Sequence, residues 1–219
     1  MAPGDLKKVA EGIEKARGRE KVPNILIDML GKQAKTDLQI MKAIESLGDA
    51  FVVLMISNAD SYSLVQIGLI DVFSLKRNMP GIYITINKPY EVLRDMLVNK
   101  KIDYGRIKFI DAISRMVGSE TPDRDKCTYI ESPGDLTELM VAIEESVKGI
   151  EGNKFLVLDS ISTLAIYNDT ETVEKLVHAL TGKLREWDVK GILLSIEADE
   201  YKNLIGTVSQ FCDKVTEVR

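Results

Sequence analysis

The chain has 219 residues, enough for one α/β domain with a sizeable core. Apolar residues make up 45% and charged residues 29%, a balance that excludes a disordered chain, and a net charge of -5 argues against a broad nucleic-acid surface. No apolar run approaches the length of a membrane span and MAPGDLKK lacks a leader core, so the expectation is a soluble, cytoplasmic protein.

Leu6–Ala16 and Thr36–Leu47 read as helices, and Asn24–Ile27 as a short strand or part of a helix. Lys7–Lys21 carries six Lys/Arg against three Glu, which fits a solvated helix face. Gly31-Lys32 looks like the end of a phosphate loop, but no strand or further glycines precede it. It is read as an inter-helix turn with Thr36 or Asp37 as cap, and residues 1–49 as a helical extension packed on the domain formed by 50–219.

Five short aliphatic or β-branched runs then read as buried strands: Phe51–Ser57, Gly81–Ile86, Ile107–Ala112, Lys154–Asp159 and Lys190–Ile196. Helical patterns cover Tyr62–Arg77, Pro89–Asn99, Leu136–Lys148, Thr170–Trp187 and Tyr201–Phe211, with Asp60, Ser61 and Ser63 as candidate caps of the first. Asp213–Val218 alternates like a last strand, and residues 116–126 form a polar, Pro/Gly-bearing loop. Strands alternating with helices predict a mostly parallel central sheet with helices on both faces. Ligands in such folds sit beyond the carboxyl ends of the strands. That places functional candidates at Ser57–Ser63, Asn87–Lys88, Asp111–Arg115, Asp159–Thr163 and Glu197–Asp199.

Other chemistry finds no pattern. Cys127 and Cys212 stand 85 residues apart without metal-ligand spacing and read as reduced thiols. His178, the one histidine, has no catalytic partner in its helix and reads as structural or surface.

LVLDSISTLAIY, Leu156–Tyr167, resembles the Walker B strand of RecA-superfamily ATPases, in particular the KaiC-like branch. An acid at a strand end there can hold Mg²⁺ beside a nucleotide phosphate. The order of segments strengthens the resemblance over residues 50–218: YITINKPYEVLRDML, IKFIDA, DLTELMVAIEESV, LVLDSIS, KGILLSIE and CDKVTEV occupy successive family slots. The resemblance implies a P-loop NTPase fold of RecA type, with a phosphate loop after the first strand and two catalytic glutamates after the second.

In those slots the chemistry differs. Laid without a gap on G-x-x-x-x-G-K-[ST], the turn NADSYS puts Asn58 and Ser63 at the outer glycines, Leu64 at the lysine and Val65 at the hydroxyl. Glycine's close approach is lost, and so are the ammonium and the Mg²⁺-binding hydroxyl. Asp60 adds negative charge where phosphate would lie. Each missing charge-assisted contact is worth about 1.5–3 kcal/mol. Asn87 and Lys88 stand at the glutamate positions, and neither an amide nor an ammonium can act as general base at neutral pH.

The expectation is therefore a degenerate ATPase with no cofactor, ATP and Mg²⁺ being disfavoured, that serves as a regulatory, scaffold or assembly factor. Its partners would be proteins: further copies of itself or a catalytically active KaiC-like relative, with no membrane and no nucleic acid. A second reading is a nucleotide- or anion-sensing module built from Asn58, Asp60, Ser61, Ser63, Asp159 and Ser160. Asp159 is the one cation candidate in it, but without a P-loop lysine or hydroxyl the favoured reading is an Asp that caps the following turn, with Ser160 and Ser162 satisfying nearby backbone. Lys88 could pair with Asp159 or with an acidic partner, but a solvated lysine is the favoured reading. A third reading is an unrelated Rossmann-like enzyme, which would show strand order 3-2-1-4-5.

Overall fold

The computed structural model describes residues 31–119 and 125–219. The chain divides into two compact units, Met1–Lys35 and Thr36–Arg219, and every described strand belongs to the second. The expected elements before residue 31, Leu6–Ala16, Lys7–Lys21 and Asn24–Ile27, lie outside the described residues.

Seven parallel strands are described: β1 (Phe51–Ser57), β2 (Gly81–Thr85), β3 (Ile107–Asp111), β4 (Cys127–Tyr129), β5 (Lys154–Asp159), β6 (Val189–Ile196) and β7 (Lys214–Glu217). Helix α1 (Lys32–Glu45) precedes β1, and α2 (Ala59–Ile70) follows it and runs into a π-helical stretch, Asp71–Lys76. Then come α3 (Tyr90–Asn99), α4 (Leu136–Lys148), α5 (Ile161–Tyr167), α6 (Thr170–Glu186) and α7 (Lys202–Ser209).

The sheet order is β4-β3-β2-β5-β6-β1-β7, so β6 lies between the strand that feeds α2 and the strand that ends in Asp159. This is not the 3-2-1-4-5 order of the Rossmann-like reading. Register aligns Thr85 with Asp111 on one side and Asp159 on the other, so these three strand ends stand in a row at the carboxyl edge.

Alternation along each strand splits the core between the two faces of the sheet. Val53, Met55, Tyr83, Phe109, Phe155 and Val157 pack with Ile40 and Ile44 of α1, Val65 and Leu69 of α2, and Leu93 and Leu97 of α3. Val52, Leu54, Ile82, Ile84, Leu156 and Leu158 meet α4, α5, α6 and α7 on the other face. Close approach is required at Gly81: a Cβ there would lie 2.3 Å from the Phe155 ring, which stacks on Phe73 with centroids 4.9 Å apart.

Several expectations need correcting. Thr36 and Asp37 do not cap a helix; they lie buried inside α1, which begins at Lys32. The stretch after Asp159, expected as a turn, is the short helix α5, and the three-residue β4 adds a strand beyond those expected. Helix Tyr62–Arg77 starts three residues earlier, at Ala59, and changes to π-helical hydrogen bonding from Asp71.

Candidate functional site at the carboxyl edge

β1 passes into α2 through one residue. Ser57 ends the strand, Ala59 begins the helix, and Asn58 between them takes an extended conformation. The Asn58 side-chain oxygen accepts from the Ser61 N–H at 2.9 Å, satisfying one of the orphan donors of the helix start. Asp60, Ser61 and Ser63, expected as caps, are instead in the first turns of the helix, and Leu64 and Val65 are deeper in it. Asn58→Ala should therefore lower stability by about 1 kcal/mol, the usual value of a lost N-cap, measured as a shift in urea midpoint at constant slope.

Asp159 is fully buried at the end of β5. Its carboxylate does not cap the next turn. That task falls to Ser160, whose hydroxyl accepts from the Thr163 N–H at 3.2 Å and also bonds to Ser162 and Thr163. Asp159 instead accepts from three buried donors. The Tyr62 hydroxyl reaches Oδ1, while Gln66 Nε2 at 2.5 Å and the Tyr83 hydroxyl at 2.6 Å reach Oδ2. Burial holds the Asp159 carboxyl well above the ordinary carboxylate range and raises the Tyr83 phenol as well.

Lys88 does not touch Asp159. Its Nζ donates to the Gln66 side-chain oxygen at 2.8 Å and to the Ser63 hydroxyl at 3.1 Å. Gln66 thus bridges the ammonium and the carboxyl through its two amide ends. Burial lowers the Lys88 pKa, and no ion pair with it occurs among the described residues. The structure therefore gathers Ser63, Lys88 and Asp159 around Gln66, leaves Asn87 and Asp60 exposed, and ties Asn58 and Ser61 to each other.

Tyr62, Gln66 and Tyr83 are neighbours of Asp159 that sequence reasoning misses, because Tyr62 and Tyr83 fit an apolar pattern. Gln66 carries a signal. It is the lone amide in LVQIGLI, and a polar group in a helix buried all round requires a partner.

Other edge candidates are structural. Asp111, also fully buried, accepts from the N–H groups of Tyr90 (2.6 Å), Ile113 and Ser114 (both 2.8 Å) and from the Ser114 hydroxyl (2.6 Å), so it joins the start of α3 to the turn after β3. Glu197 pairs with Arg219 at 3.1 Å. His178 is exposed and packs on the Phe211 ring. Cys127 and Cys212 are thiols, and burial pushes the Cys212 thiol up to about 12. No group of His, Cys, Asp and Glu suited to a metal ion occurs among the described residues. No described helix is long and apolar enough to cross a membrane.

A parallel α/β sheet in this order, with an acid ending β5, places the chain among proteins of RecA/KaiC-like fold. The solved "KaiC-like protein PH0186" of the hyperthermophilic archaeon Pyrococcus horikoshii matches with a TM-score of 0.57 over 76% of this chain and 71% of that one, at 17% identity. At that identity the likeness is one of fold. No curated protein matches the sequence. The chain belongs to the family of unknown function DUF7504, whose model matches residues 88–218.

Proposed function

We propose that this protein is a non-catalytic member of the RecA/KaiC-like fold that works as a regulatory, scaffold or assembly factor through protein partners. The observation that carries this reading is the single-residue passage from β1 to α2. A phosphate-binding loop needs several residues with exposed backbone N–H groups to wrap an anion. Here Asn58 is committed to capping Ser61, and the following residues already have their backbone in a helix. The acid that would face a metal is covered by Tyr62, Gln66 and Tyr83. Lys88, at the position where the resemblance implies a catalytic glutamate, presents an ammonium and no base.

The test is turnover with Mg²⁺ and ATP by the purified full chain, alongside a Lys88→Ala, Asp159→Ala double variant. Hydrolysis indistinguishable between the two is expected. Turnover well above the double variant would overturn the reading. The alternative, an anion- or nucleotide-sensing module, is favoured by the partly buried Lys88 beside Ser63. Calorimetric heat with ATP, ADP or GTP that disappears in Lys88→Ala would select it.

A further inference from the structure

The surface cations divide by their place in the fold. Remote from the amino edge of the sheet, Arg115, Lys175 and Lys202 each meet a carboxylate, at 3.6, 2.6 and 2.8 Å. At the amino edge, Arg77, Lys100, Lys101, Arg106 and Lys108 are all exposed, and none of them forms an ion pair among the described residues. Register brings them together. Gly81 pairs with Ile107 and Ile82 with Lys108, so Arg106 and Lys108 flank the start of β2. The turn before β2 carries Arg77, and its Asn78 carbonyl accepts from Arg106 at 3.3 Å. Lys100 and Lys101 follow α3 and lead towards β3. Lys126, which donates to the Gly105 carbonyl at 2.9 Å, and Lys154, the first residue of β5, extend the row to the two neighbouring strands. Taking the protein to act through protein partners, as proposed above, we infer that this row is a docking surface for an acidic, extended segment of a partner protein.

The turns into the same strands also carry Asp103, Asp125 and Glu151, exposed and outside any ion pair among the described residues. The cations outnumber them, so this edge is positive in a chain whose net charge is -5. Helix C-termini meet the edge as well, and each carries about half an elementary negative charge. The ends of α3 and α4 together offset about one charge of the row. Lys108 already serves α4 in this way, since a Cβ at Gly149 would lie 2.7 Å from its Nζ. The other cations keep their charge for a partner. Single exposed pairs contribute little, but an extended acidic chain meets several of these cations at once, and salt screens the sum. Nucleic acid fits the row less well. A nucleic-acid strand takes aromatic platforms as well as charge, and Tyr104, between Lys101 and Arg106, packs edge-on against Phe109 with centroids 6.1 Å apart. The negative remainder of the surface also repels a long polyanion more than a short acidic segment.

The experiment is fluorescence anisotropy of the full chain with a dye-labelled polyglutamate peptide of about ten residues. Such a peptide extends to about 33 Å and outreaches the about 14 Å of three strand spacings. Titrations at about 50 mM and about 300 mM salt are set beside those of a single DNA strand of similar length. Peptide binding should weaken about tenfold at the higher salt, and about tenfold or more in the triple variant Lys100→Glu, Arg106→Glu, Lys108→Glu. The triple variant Arg115→Glu, Lys175→Glu, Lys202→Glu changes net charge equally and should stay within about threefold of the wild type. No peptide binding at the lower salt, binding indifferent to salt, or equal losses in the two variants would overturn the docking surface. DNA that binds more tightly than the peptide, and is lost in the first variant, would overturn the assignment to an acidic protein segment. If the first variant does not fold, Arg106→Gln with Lys108→Gln replaces it: a loss of about threefold is expected, and no loss overturns the surface. Peptide binding is read without nucleotide, so its failure removes this surface and not the non-catalytic reading, which ATP turnover decides alone.

Discussion

Asp159→Ala should lower folding stability by about 3 kcal/mol at pH 5, because it leaves buried donors without an acceptor. The substitution leaves two tyrosine hydroxyls and one amide without their acceptor at a site closed to water. Each buried unsatisfied donor costs about 1–3 kcal/mol, and the three do not add fully because they shared one acceptor. The loss should shrink as pH rises. Because its folded carboxyl lies above the ordinary value near about 4, the folded wild type holds this proton more tightly than the unfolded chain. Wild-type stability from this group is therefore complete below the unfolded value and declines as pH rises towards the folded one. The alanine variant has no such dependence, so the difference between the two should be smaller at pH 8 than at pH 5. Urea titrations at both pH values measure it. A difference that grows with pH would mean that the three donors favour the ionised form more than burial disfavours it.

Phe155→Ala should be as damaging for a different reason. The ring is fully buried on β5, stacks on Phe73 and fills the space above Gly81, where a Cβ would lie 2.3 Å from it. Loss of a buried phenyl group typically costs about 3–5 kcal/mol, or about 10 °C in Tm for a chain of this size. Gly81→Ala alone should cost about 1–3 kcal/mol by overpacking, since Phe73 leaves the ring no room to retreat. Combined with Phe155→Leu, which vacates the ring edge, the alanine should be tolerated with much less loss than in the wild type. Additive losses in that double-mutant cycle would show that the contact at Gly81 is not the source of the strain.

Much of the sheet was legible because a strand covered on both faces must be apolar throughout, as FVVLMIS and KFLVLD are. β4 escaped because Cys127–Tyr129 is three residues long and follows a polar stretch. α5 escaped because ISTLAIY is rich in β-branched residues, and its helix is secured by the Ser160 cap and by packing on α6 and β6. At the site, Asp159, Ser63 and Lys88 could be read from motif position. Their mediator could not, because the resemblance offers no slot for Gln66 and pairing between β5 and α2 depends on contacts 93 residues apart. The choice of Asn58 over Asp60, Ser61 or Ser63 as cap was also beyond the residue types, since all four can cap a helix.

The one-residue join at Asn58 has a consequence for engineering. Writing glycine, lysine and threonine back into positions 63–65 would place them within a formed helix, facing its own packing partners rather than open space. On the non-catalytic reading proposed above, building an anion cradle would take an insertion of chain between Ser57 and Ala59, together with a smaller residue at Tyr62. On that reading, point substitution alone would not supply one, however suitable the side chains.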